Sequence, residues 1–131
     1  MITLIKTYFA VLIPMLVLDG LWLAVIAKSF YAKHLGSLMT PNPVWLAAIL
    51  FYLLYAAGIA YFIVAPAVGG SLSWYGVLLR GAFFGLVAYA TYDLTNHATM
   101  LNWPTIITVV DMIWGATITG VTALIAWAVL K

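Results

Sequence analysis

The sequence predicts an all-α integral membrane protein: four transmembrane helices in a compact bundle, with a short interfacial segment between helices 1 and 2. Three observations predict it. The 131 residues are 67% hydrophobic and 6% charged, with a mean hydropathy of +1.18. A soluble domain of that composition would lack the polar groups to cover its own surface. A bilayer span needs about 20 apolar residues. Turn-forming residues cut the chain into four such stretches, at Pro41–Pro43, at Pro66 with Gly69–Gly70, and between His97 and Trp103. The whole of 1–131 then reads as a single transmembrane domain with spans at about 7–27, 44–64, 74–96 and 104–130. No stretch is left over for a soluble catalytic domain, so function must reside in the helices and their connections.

The first span contains Pro14, which removes a backbone hydrogen bond, and Asp19, followed at i+3 by Trp22. Lys6 ahead of an apolar run resembles the start of a signal peptide. The length of the run, Asp19 inside it and the absence of a small-x-small cleavage site favour a retained helix. The connection KSFYAKHLGSLMTPNP mixes Phe30, Tyr31 and Leu35 with Lys33 and His34, as a helix in the headgroup plane would. The second span carries Tyr52 and Tyr55 well inside its apolar run, where a phenol needs a hydrogen-bond partner, and carboxylates are the obvious candidates.

The third span holds Arg80 and a GxxxG pair, Gly81 and Gly85, suited to close helix packing within the protomer or in a homodimer. It ends in YATYDLTNH. There Tyr89, Tyr92, Asp93, Asn96 and His97 fall at i, i+3, i+4, i+7 and i+8, on one helical face. The fourth span opens on Pro104, a favoured first helical residue. Thr105, Thr108, Asp111, Gly115, Thr119 and Thr122 then recur at three- or four-residue steps, with Trp114 three residues after Asp111. Such a stripe serves helix packing as readily as ligand binding. Asp19–Trp22 and Asp111–Trp114 share a DxxW spacing, although on helices running in opposite directions.

With four spans, the connection after the first and the connection before the fourth lie on one side. At 1.5 Å per residue the three acids, Asp19, Asp93 and Asp111, sit roughly 5 to 14 Å below that surface. They come from three helices and converge on one leaflet, with Tyr52 and Tyr55 near the same level. Asp93 lies nearest the water boundary, so a proton or solute entering there is expected to meet it first. Intramembrane carboxyls are costly and functional by default. Desolvation and mutual repulsion favour a protonated form for at least one of them.

The residues expected to form a site are Asp19, Trp22, Tyr52, Tyr55, Tyr89, Tyr92, Asp93, Asn96, His97, Thr108, Asp111 and Trp114. Three classes of function fit. One is binding or transport of a small amphipathic solute or cation coupled to protonation. A second is a membrane-embedded enzyme acting on a lipid or isoprenoid, with Asp93, Asp111 or Asp19 as general acid/base. The third is a non-catalytic assembly subunit, for which the glycine and threonine stripes suffice. No cofactor is expected, because no glycine-rich phosphate loop or serine elbow is present. Asp93 and His97 at i, i+4 offer a weak metal site that lacks an HxxxH pattern, and none is assigned. Five basic residues spread along the chain, for a net charge of +2, suit lipid headgroups and exclude a nucleic-acid partner. Cysteine is absent from the sequence, which removes disulfides and thiolate chemistry.

The combination LDGLWL, FYLLY, YATYDLTN and TVVDMIWG resembles a bacterial family of small membrane proteins known as domain of unknown function 2177. The resemblance covers almost the whole chain. It implies a four-helix protein of the bacterial inner membrane and marks Asp19, Asp93, Asn96 and Asp111 as hallmark positions, without implying an activity. Lys28 and Lys33 on one face nearly balance Lys6, Arg80 and Lys131 on the other. The flank of the first helix favours a cytoplasmic position for the acid cluster, and the near balance also suits an antiparallel dual-topology dimer.

Overall fold

A computed structural model describes residues 2–131, and every regular element in it is helical. Four helical segments are long and apolar enough to cross a bilayer: Thr3–Ile26, Trp45–Val68, Trp74–Thr99 and Thr105–Leu130. The first consists of α1 (Ile2–Leu21), which continues through Pro14, and a π-helical turn at Trp22–Ile26. Ala27 N–H closes that turn on the Trp22 carbonyl at 2.7 Å. A short helix α2 (Lys28–Leu35) and a 3₁₀ turn at Gly36–Leu38 form the connection to α3 (Trp45–Ile59). The second span finishes through a π stretch, Ala60–Val64, and α4 (Ala65–Val68), with Pro66 accommodated in the first turn of α4. The third and fourth spans are α5 (Trp74–Thr99) and α6 (Thr105–Leu130).

The closest helix pair is α5 with α6, and glycine explains why. A Cβ on Gly81 would lie 3.0 Å from Ala123 Cβ, Gly120 Cα and the Thr119 carbonyl. One on Gly85 would overlap the Gly115 carbonyl, and one on Gly115 would overlap the Tyr89 ring. The GxxxG pair is therefore used within the protomer, against the small-residue stripe of α6, as close-packed membrane helices require. Around this contact lies an apolar core of Val11, Met15, Ile59, Val64, Ile118 and Ala123, all essentially inaccessible. These residues fill the half of the bundle nearest the chain termini. The outer faces expose large apolar side chains such as Leu46, Leu54, Phe83 and Val129, which suits contact with lipid.

Candidate functional site

The other half of the bundle, towards the α2 connection and the α5–α6 loop, is hollow. A cavity of about 640 Å³ lies there, within the size range of small-molecule sites. Asp19, Asp93 and Asp111 all line it, as do Trp22, Tyr89, Tyr92 and Trp114. Seven of the twelve residues singled out from sequence thus share one cavity, contributed by α1, the π turn, α5 and α6.

The two DxxW pairs are joined crosswise. Trp114 Nε1 donates to Asp19 Oδ1 at 2.9 Å. Trp22 Nε1 donates to the Tyr31 hydroxyl at 3.1 Å, and Tyr31 donates in turn to Asp111 Oδ1 at 2.8 Å. The two indoles stack with centroids 4.4 Å apart and planes 11° from parallel. Each tryptophan therefore serves the carboxyl of the opposite pair, one directly and one through a tyrosine. The antiparallel run of α1 and α6, which prevents superposition of the pairs, is what permits this exchange.

The three carboxyls differ in what they receive. Asp19 accepts from Trp114 and, on its other oxygen, from the Tyr52 hydroxyl. Asp111 accepts from Tyr31 on one oxygen. Asp93 is 0% exposed, and neither of its oxygens has a hydrogen-bond partner, although its carboxyl lies against that of Asp111. The expectation that Asp93 meets solvent first is corrected: axial depth alone made it shallow, but its side chain is fully enclosed while Asp111 is only half-buried. Asn102 takes a left-handed backbone conformation, φ 60°, which asparagine tolerates better than most residues. Next to it the Trp103 side chain is buried, lines the cavity, meets the Tyr92 ring edge-on and donates through Nε1 to Thr108 Oγ1 at 3.0 Å.

The remaining sequence candidates hold the walls. Tyr52 secures Asp19. Tyr55 finds a threonine in place of the expected carboxylate, with 2.8 Å between its hydroxyl and Thr119 Oγ1. Thr108 and Thr105 hydroxyls lie 3.1 and 3.4 Å from His97 Nδ1 and Nε2. His97 is thus a clasp between α5 and α6, with both ring nitrogens engaged. Neither it nor half-buried Asn96 lines the cavity. Among the described residues no group of three or more potential metal ligands gathers.

Residues outside the sequence candidates complete the site. Tyr31 is the main one, carried in by α2, and Lys28 and Phe51 also line the cavity. Burial pushes the Tyr31 phenol above its ordinary value, opposed by the Trp22 hydrogen bond and reinforced by Asp111 and Asp93. It therefore remains an O–H donor throughout the neutral range. The signal for Tyr31 was its place on a connection next to the acid-bearing leaflet, since no periodicity links α2 to Asp111. The cavity reaches the molecular surface at Leu23, Phe51 and Tyr92, which are 47, 45 and 59% exposed and lie within spans. Its rim also includes exposed Lys28 and Met39 on the connection. In a bilayer that rim would meet both acyl chains and headgroups.

Four apolar spans around an acid-lined cavity define a small polytopic membrane protein. The chain belongs to the family described as Predicted membrane protein (DUF2177), whose sequence model matches residues 4–128. No curated protein and no solved structure matches the chain.

Proposed function

We propose that the protein binds a small amphipathic molecule drawn sideways from one leaflet, with the apolar part against the aromatic walls and the polar end at Asp93 and Asp111. The observation that carries this reading is Asp93: a wholly buried carboxyl without a donor, on the wall of a 640 Å³ cavity. An unpaired buried acceptor costs free energy that a structural role would have relieved, and intramembrane acids left in that condition mark ligand sites. The exposed lining residues within the spans supply the entrance. The apolar core beneath the cavity makes it blind, so a transport version needs a second packing of the helices that opens the terminal half.

Photolabelling in membranes with a diazirine-bearing alkyl probe tests the reading. Saturable labelling is expected near Leu23, Phe51 and Ala88, and Ala88→Trp, which fills the cavity, should abolish it. Labelling spread evenly over the lipid-facing surface, unaffected by Ala88→Trp, would overturn it.

A second reading is a lipid- or isoprenoid-modifying enzyme. It is favoured by the adjacent Asp93 and Asp111 with the Tyr31 hydroxyl on Asp111, a set suited to general acid–base chemistry that a monomer can perform. It expects the lipid profile of a deletion strain to change and to be restored by the wild type but not by Asp93→Asn. Identical profiles in deletion and wild type would sink it.

A further inference from the structure

The unequal supply of donors to the three carboxyls specifies what the pocket takes. We infer that the ligand is a lipophilic amine bound as its N–H-bearing ammonium, received by Asp93 and Asp111 in exchange for a proton. This rests on the pocket reading above and goes beyond it by naming the head group.

Asp19 has a donor on each oxygen, both from the protein itself, so it offers a ligand little. Asp111 has one oxygen engaged by Tyr31, and Asp93 has none. Three acceptor oxygens thus lie at the cavity without protein donors, the two of Asp93 just behind its accessible surface. An anionic head would face those carboxyls with only Lys28, on the exposed rim, as a cation among the lining residues. A quaternary ammonium carries the right charge but has no N–H to give. A primary ammonium has three N–H donors and one positive charge, matching three free oxygens. Trp22, Trp114 and Tyr92 line the same cavity, and a ring face favours a cation over a neutral head.

In the empty pocket a single proton held between Asp93 and Asp111 supplies a donor where the oxygens of Asp93 and the second oxygen of Asp111 have none. The groups facing that proton are Asp111 on α6, Tyr31 and Lys28 from the α2 connection, Tyr92 on the same helix, and Asp19 across the cavity. When the ammonium enters, its N–H groups take the place of the bridging proton, which leaves to water. One positive charge enters and one leaves, so the buried charge is unchanged. That neutrality matters where net charge is expensive.

Four probes of equal chain length separate the possibilities: dodecylamine, dodecyltrimethylammonium, dodecanol and dodecanoate, titrated into the purified protein in nanodiscs. Cavity occupancy is followed by tryptophan fluorescence, and proton release by a pH indicator in weak buffer. Dodecylamine is expected to bind saturably, at least about tenfold more tightly than the other three, as charge-assisted hydrogen bonds predict. About one proton should be released per molecule bound. Asp93→Asn should weaken dodecylamine roughly 10- to 100-fold and remove the proton release, whereas Asp93→Glu should restore part of both. The proton count on the unmutated chain decides the matter even where a variant does not fold. Equal binding of the trimethylammonium probe, or saturable amine binding without proton release, overturns the inference. Preferential binding of dodecanol or dodecanoate overturns the head-group assignment while leaving the pocket in place. If no probe binds saturably, the pocket reading falls with it.

Discussion

The two halves of this bundle are built from the same four helices to opposite specifications. Towards the termini, Val11, Met15, Ile59, Val64 and Ile118 fill the interior, and Gly81 and Gly120 let α5 and α6 touch backbone to backbone. Towards the connections the same helices surround a cavity, and the buried groups are carboxyls, phenols and indoles. A membrane protein gains little from hydrophobic exclusion between helices, so close packing has to hold the bundle. Concentrating that packing in one half frees the other to keep an unsatisfied Asp93. Stability is drawn from one end, and the site is carried at the other.

The sharpest way to break this division is to disturb the packed half. Gly85→Val would drive a side chain into the Gly115 carbonyl and Thr119, both fixed by helical backbone. We expect about 3 kcal/mol of destabilisation, the upper part of the overpacking range, read from unfolding in mixed micelles. Gly20→Ala is the control, since nothing lies within 4 Å of its added Cβ. Equal behaviour of the two variants would show that α5–α6 contact does not hold the bundle.

The next contrast lies within the hollow half. Asp19→Asn weakens the bonds from Trp114 and Tyr52, and a loss of about 1–2 kcal/mol is expected for two interhelical bonds that average about 0.6 and reach at most about 1.7 kcal/mol each in membranes. Asp93→Asn replaces the proton shared with Asp111 by an amide donor to the same carboxyl and breaks no other bond, so stability should hold or rise by about 1 kcal/mol. One acid stabilises the fold and the other costs it stability, as functional groups commonly do. If Asp93→Asn is the more damaging of the two, the contrast is wrong.

The four spans were legible in the sequence because membrane insertion imposes length and apolarity locally, where composition records them. The convergence of Asp19, Asp93 and Asp111 followed from the same logic, since helical rise converts sequence distance into depth. Lateral contacts were less accessible. Nothing in the spacing distinguishes Tyr52, which reaches a carboxyl, from Tyr55, which reaches Thr119; three helical positions turn the side chain to a different neighbour. His97 shared a face with Asp93 by periodicity, yet the loop turn at Asn102 brings threonines of α6 to its ring. Tyr31 and Trp103 are missed for a common reason: both arrive on connections whose path depends on tertiary packing and leaves no repeat in the sequence.

A smaller effect separates the halves through α2. Tyr31→Phe deletes the hydroxyl that links Trp22 to Asp111 and leaves a further oxygen of the acid pair without a donor. About 1 kcal/mol should be lost. Hydrogen exchange should accelerate over Lys28–Leu38 while the interior of α6 beyond Ile118 is unaffected. Acceleration throughout the bundle would mean that α2 is part of the packed framework and does not merely cover the cavity.

The smallest expected effect is one of pH, and its sign follows from the same phenol. Burial raises the Tyr31 value in the folded protein above that of the unfolded chain, so the folded state holds this proton more tightly. Its contribution to stability is therefore complete below the unfolded value, about 10, and declines as pH rises beyond it. Near neutral pH the link from Tyr31 to Asp111 should be insensitive to titration. Above about pH 10 exchange over Lys28–Leu38, taken relative to its intrinsic base-catalysed rate, should accelerate in the native protein, and Tyr31→Phe should flatten that rise. A rise of equal size in both proteins would assign the alkaline loosening to another group.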